Sequence, residues 1–224
     1  MVVERISKIA TDVITAVKRQ FGDTSGVQVN DAHIFAWIND AQREIVKENP
    51  ELKQTLVQLN VISGTATYAL LTAIPDILIV HSIHYRGHIL QNMSFVEAQE
   101  YIIRNDTAFP QPSGEPVIWY EYAGTLTLWP TPQTSYTNGL TVYYSEVPVA
   151  VSAVGNSLDL PDSYFNTTVS YCMWKAYEMD ENFSAAQQMM QQFGESVTRL
   201  SNRTRSEDNR YPTITLLPED NLYG

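Results

Sequence analysis

From Leu158 to Arg205 the apolar residues of this 224-residue chain recur at steps of three and four, and that run limits the fold most. It opens Leu158-Asp159-Leu160-Pro161-Asp162-Ser163-Tyr164. Proline suits the first turn of a helix, and acids beside it favour the positive end of the helix dipole. Phe165, Val169, Cys172, Ala176, Met179 and Phe183 then form one stripe, and Ala186, Met189, Met190, Phe193, Val197 and Leu200 form a second. Such spacing marks an amphipathic helix. One unbroken rod would span roughly 65–70 Å. A break is therefore expected near Glu181-Asn182-Phe183-Ser184, where Asn182 or Ser184 can cap a second helix. Two apolar stripes need a covering partner, and the best candidates lie at the other end of the chain.

Residues 3–21 read as an amphipathic helix with Ile6, Ile9, Ala10, Val13, Val17 and Phe21 in register, ended by Gly22 in the usual position after a helix. Asn30 or Asp31 caps a second helix bearing Ile34, Trp37, Ile38, Ala41 and Ile45, and Asn49-Pro50 stops it. The candidate bundle core is Trp37, Ile38, Ala41, Ile45, Phe165, Val169, Cys172 and Ala176. From Leu56 the period becomes that of strands: 56–62, 68–70, and the β-branched run Ile77–Tyr85, expected as a central strand. Ser94 with Glu97 forms a capping box for a short helix through Ile103. Residues 105–116 read as loop, 117–122 and 125–129 as a hairpin around Ala123-Gly124, and Asn138-Gly139 as a turn feeding Leu140–Tyr144. Residues 148–158 read as a linker. The expected class is α+β: a helical bundle of two N-terminal and two C-terminal helices, an inserted antiparallel β domain and an extended C-terminal tail. The expected boundaries are 1–55 and 159–205 for the bundle, 56–158 for the insert and 206–224 for the tail.

Charge narrows the function classes. The formal net charge is −11, and residues 59–158 carry seven acids against two bases, Arg86 and Arg104. No Lys or Arg occurs between Arg104 and Lys175. Gripping nucleic acid or an anionic membrane requires clustered bases, which the middle of the chain lacks. Cys172, the single cysteine, sits on an apolar stripe and reads as a buried small hydrophobe. The start of the chain lacks a signal-peptide run, and no stretch is apolar enough to span a bilayer. Neither secretion nor membrane association is expected.

No phosphate-binding, nucleophile-elbow, metalloprotease or paired-cysteine motif is present in the sequence. His81, His84 and His88 straddle a turn, which is a weak metal pattern, and Glu178, Asp180 and Glu181 read as a solvated helix face. Neither metal nor cofactor is expected. The insert holds eight of the 13 tyrosines and two of the four tryptophans. With few charges nearby, Trp119, Tyr120, Tyr122, Trp129, Tyr143 and Tyr144 point to a dry interface between subunits, with a core role or a glycan site as alternatives.

Three stretches carry a family resemblance. Trp37-Ile38-Asn39-Asp40-Ala41-Gln42-Arg43-Glu44-Ile45 resembles a helix of phage head-to-tail adaptor proteins. Leu128-Trp129-Pro130-Thr131-Pro132, with Tyr143-Tyr144 and Val147-Pro148, resembles their central β module. Leu160–Tyr164 leading into Trp174–Glu181 is similar to their C-terminal helix. The tail tubular A proteins of short-tailed phages are of this kind. The resemblance implies a structural, non-enzymatic virion protein made in the host cytoplasm. It implies a ring, commonly of twelve copies, that binds the portal, meets a downstream tail or nozzle protein, and lets genomic DNA through without specific binding. No catalytic residue carries over. The tail matches no motif of the family, and its Arg203, Arg205, Arg210, Tyr211, Ile214, Leu216 and Leu217 are candidate docking residues for the portal or a ring neighbour. A carbohydrate- or receptor-binding tail protein using the β-domain aromatics is the alternative, and a metal-dependent hydrolase the next.

Overall fold

A computed structural model of the protein describes residues 8–105 and 113–208. In chain order the elements are α1 (Ala10–Phe21), α2 (Asp31–Glu48), β1 (Gln54–Val61), β2 (Thr67–Ala69), α3 (Leu70–Ala73), β3 (Ile77–Tyr85), β4 (His88–Ile89) and β5 (Gln91–Asn92). They continue with α4 (Phe95–Asn105), β6 (Ser113–Gly114), β7 (Ile118–Tyr122), β8 (Thr125–Trp129), β9 (Thr131–Pro132), β10 (Tyr136–Glu146), α5 (Phe165–Met179) and α6 (Phe183–Asp208). The protein is α+β with mainly antiparallel sheets. It divides into two compact units, a helical one of residues 1–48 and 151–224 and a β-rich one of residues 49–150. These divisions differ from the expected 55/56 and 158/159.

In the helical unit Ala10, Val13, Val17, Ile34, Ile38, Val169, Cys172 and Ala176 share one buried cluster. The stripes meet because residues three and four apart lie on one helix face. Trp37 and Phe165, expected in the core, are only partly buried at its margin. Ala41 and Ile45 are fully buried. α1 begins at Ala10, not near residue 3, and Ile6 lies outside the described residues. The reason is that Ile9 is extended, at φ −107° and ψ 164°, and bridges to Ser157. Asp12 then accepts from the Ile9 N–H at 3.2 Å. Gly22, at φ 87°, ends the helix with its N–H on the Lys18 carbonyl, a conformation that favours glycine. The break between α5 and α6 falls where expected: Glu181 turns at φ 58°, and Asn182 Oδ1 accepts from the Ala185 N–H at 3.3 Å. α6 runs on to Asp208, so Ser206, Glu207 and Asp208 belong to the helix and not to an extended tail.

In the β-rich unit one sheet has the order β1-β10-β3-β4, a second has β2-β8-β7-β5, and β6 pairs with β9. β3 lies between β10 and β4, but the two-residue β4 flanks it only at His84 and Tyr85. Arg86-Gly87 and Ala123-Gly124 have positive φ at both residues, the combination that tight two-residue hairpins require. Alternate residues of a strand face opposite sides. Trp119, Leu126 and Leu128 therefore pack with Val61, Ile83, Leu140 and Val142 of the first sheet. Ile118, Tyr120 and Trp129 pack on the other side with Ala98 of α4. Asn138-Gly139 is not a hairpin turn. It lies inside β10, where the register on β1 jumps from Leu59↔Leu140 to Val61↔Tyr136. Asn60 Oδ1 holds the Asn138 N–H at 2.9 Å, and Asn138 has φ 53°. A side chain at Gly139 would come within 2.9 Å of Val61, so the bulge requires glycine there.

Candidate functional site

The aromatic set of the β-rich unit splits in two. Trp119, Tyr120 and Trp129 are buried within the unit, because the β7–β8 pair is covered on both faces. They leave little surface for a neighbour or a sugar, against the expectation for these three. Tyr143 and Tyr144 are half-buried, and Tyr122 is 61% exposed. Tyr122 stacks on Phe95 at 4.5 Å between centroids, with 28° between planes. Val96 and Ile103 of α4 are also exposed, and their spacing puts them on one face. That pair is legible in the sequence as an i, i+7 repeat.

The basic side chains of this unit are each paired with an acid. It carries eight acidic and three basic side chains, a net of −5. Each base has an acidic partner: Lys53 with Glu146 at 2.8 Å, Arg86 with Glu115 at 2.8 Å and Arg104 with Glu100 at 3.5 Å. Such surface pairs add little stability. Their consequence is electrostatic: every base of the unit already faces a carboxylate. The Ser94 hydroxyl, and next its N–H, hold the Glu97 carboxyl below its ordinary range and close the capping box of α4.

The metal candidates come apart. His81 Nε2 lies 2.6 Å from Ser145 Oγ, His84 packs on Tyr143 with centroids 4.8 Å apart, and His88 is exposed on β4. Glu178 accepts from Trp174 Nε1 at 2.8 Å and Lys175 Nζ at 2.9 Å, and these contacts, the lysine first, lower its pKa. Among the described residues no group of three His, Cys, Asp or Glu could hold a metal ion. Burial pushes the Cys172 thiol up, far from the reactive thiolate.

The helical unit has polar positions that sequence reading missed. Asn39 and Gln42 sit among the adaptor-like residues of α2 without any role foreseen. Asn39 Nδ2 donates to the Val151 carbonyl at 3.0 Å, and its Oδ1 accepts from the Val151 N–H at 2.7 Å. Gln42 Oε1 accepts from the Asp159 N–H at 2.7 Å. The segment read as a linker is thus bonded to α2, and Val151 and Leu158 join the helical core. Asp23 does similar work in the α1–α2 loop. Its carboxylate accepts from the N–H groups of Gly26, Val27, Gln28 and Val29 and from the Ser25 hydroxyl, at 2.8–3.1 Å. These bonds, led by that from Val29, lower its pKa to about 2.

Arg203 and Arg205 lie in α6. Arg210, Tyr211, Ile214, Leu216 and Leu217 fall outside the described residues. No helix among the described residues is long and apolar enough to cross a membrane.

The SU10 adaptor protein family matches residues 9–215, and the chain belongs to that family. A search of curated proteins finds no match.

Proposed function

We propose that this protein forms the head-to-tail adaptor ring of a tailed-phage virion, seated on the portal, joined to the tail below and open along its axis for the genome. The family match over residues 9–215 is the observation that carries this reading. The charge of the β-rich unit supports it. DNA binds proteins chiefly by exchanging condensed counterions for free Lys and Arg. A surface whose three bases already face carboxylates lets a polyanion pass without holding it. The exposed Phe95, Val96, Ile103 and Tyr122 suit dry contacts between copies. The tail beyond Asp208, together with Arg203 and Arg205, is the proposed docking element for the portal or a ring neighbour.

Co-sedimentation with a portal ring tests the reading. The full-length protein is expected to travel with the portal in a fixed ratio, close to twelve copies if the family's common ring applies. A protein that stays at the top of the gradient with an intact portal refutes it. The glycan reading loses support because Trp119, Tyr120 and Trp129 are buried.

A further inference from the structure

The two main sheets of the β-rich unit each end in an open strand edge, and both edges face the same slot. β3 is paired with β10 along its length, but on its other side β4 pairs only with His84 and Tyr85. Among the described residues the outer edge of Ile77–Ser82 has no strand partner. On the second sheet β5 pairs only with Ile118 and Trp119 of β7. The carbonyls of Val117 and Trp119 point to β5, accepting from the N–H groups of Gln91 and Met93 at 3.0 Å. Backbone groups alternate along a strand, so the N–H and C=O of Glu121 face this same edge, past the end of β5. Between the edges lies a cavity of about 440 Å³ lined by residues 77–80 of β3 and by Glu121, Leu70, Leu71, Met93 and Trp119. Leu71 is 59% exposed.

We propose that this slot accepts one extended strand, and that its occupant is Thr213–Leu217 of a second copy of the chain. Unpaired strand edges are templates for strand addition, and alternate side chains of the added strand fill pockets beside the edge. The sequence Thr213-Ile214-Thr215-Leu216-Leu217 alternates so that Ile214 and Leu216 share one face, matching the apolar wall of Leu70, Leu71 and Met93. Pro212 and Pro218 bracket the five residues, and proline cannot donate to a ladder. Five extended residues span roughly 17 Å, enough to cover most of the six-residue open part of β3. The N-terminal Met1–Ser7 has no such alternation and carries Glu4 and Arg5. Donation between copies rests on the ring reading above. It turns an exposed edge, otherwise prone to indiscriminate pairing, into a joint formed on assembly.

Hydrogen exchange on the full chain tests this directly, comparing the natural protein with an Ile214→Asp/Leu216→Asp variant whose changes lie outside the described residues. The amides among residues 77–82 that face away from β10, and that of Glu121, are expected to exchange at least about tenfold more slowly in the natural protein at high concentration than in the variant. The protection should fade on dilution. A synthetic peptide of residues 209–224, added in excess to the variant, should restore it. No protection by the peptide overturns the proposal, and so does protection that is independent of protein concentration, which would mean donation within one copy. Native mass on the same samples separates the two readings. Rings with an unprotected slot sink the strand donation and leave the adaptor ring standing. Peptide protection without rings supports the slot and counts against the ring.

Discussion

Asn39→Ala removes both hydrogen bonds that tie α2 to Val151, the residue that starts the returning segment of the helical unit. Val151 is 3% exposed, so its N–H and C=O would be left buried without their partner. Each such orphan costs about 1–3 kcal/mol. Asn39 itself is half-buried, so a water can reach part of the gap, and the expected loss is about 2–4 kcal/mol. In a chain of this size that lowers the melting temperature of the helical unit by roughly 4–16 °C. Circular dichroism at a helix wavelength reads the melt, and hydrogen exchange over residues 150–158 reads where the loss falls. Asn39→Asp sharpens the test. It keeps an acceptor for the Val151 N–H but sets a carboxylate against the Val151 carbonyl, where Asn39 Nδ2 now sits at 3.0 Å. That variant should be at least as unstable at neutral pH and recover part of the loss when acid protonates the side chain into a donor. A loss below about 0.5 kcal/mol for Asn39→Ala, or unchanged exchange over 150–158, would refute the claim that this amide holds the segment.

Asp23 has a folded pKa of about 2 against an ordinary 3.8, so its stabilisation is fully present above about pH 4 and is lost as the pH falls through about 2. Asp23→Asn should therefore flatten the acid side of the stability profile between about pH 4 and 2, and a carboxyl titration by NMR that finds no lowered pKa would discard the five-bond account. Ile38→Ala, at a fully buried position, should cost about 2–5 kcal/mol by leaving a cavity, whereas Trp37→Ala, partly exposed and stacked on His33 at 5.9 Å, should cost less. Equal chemical denaturation midpoints for the two variants would contradict this placement. The purified protein should not bind duplex DNA at sub-micromolar concentration in physiological salt, since 14 bases stand against 25 acids and the bases of the β-rich unit are paired. Tight, salt-sensitive retention in a filter-binding assay would overturn the passive-channel reading.

Periodicity alone determined the helical stripes, the break at Asn182 and the strand Ile77–Tyr85, because spacing of three to four or of two decides which side chains share a face, whatever they later touch. The cap at Ser94 and the stop at Asn49-Pro50 were equally local, since one side chain and its neighbouring backbone suffice. The family signal was local as well, carried by short runs on α2, β8 and α5. Tertiary structure decided the rest. Whether Trp119 and Trp129 face a neighbour or their own core depended on a second sheet and on α4, which come from other parts of the chain. Asn138-Gly139 has the residues of a hairpin turn, yet Asn60, 78 residues earlier, captures it as a bulge. The small, polar stretch 148–158 reads as a linker until Asn39 and Gln42, over a hundred residues away, bond the backbone at Val151 and Asp159. Local signals fix what a segment can be. Long-range hydrogen bonds and burial, whose partners no window of the sequence contains, fix what it becomes.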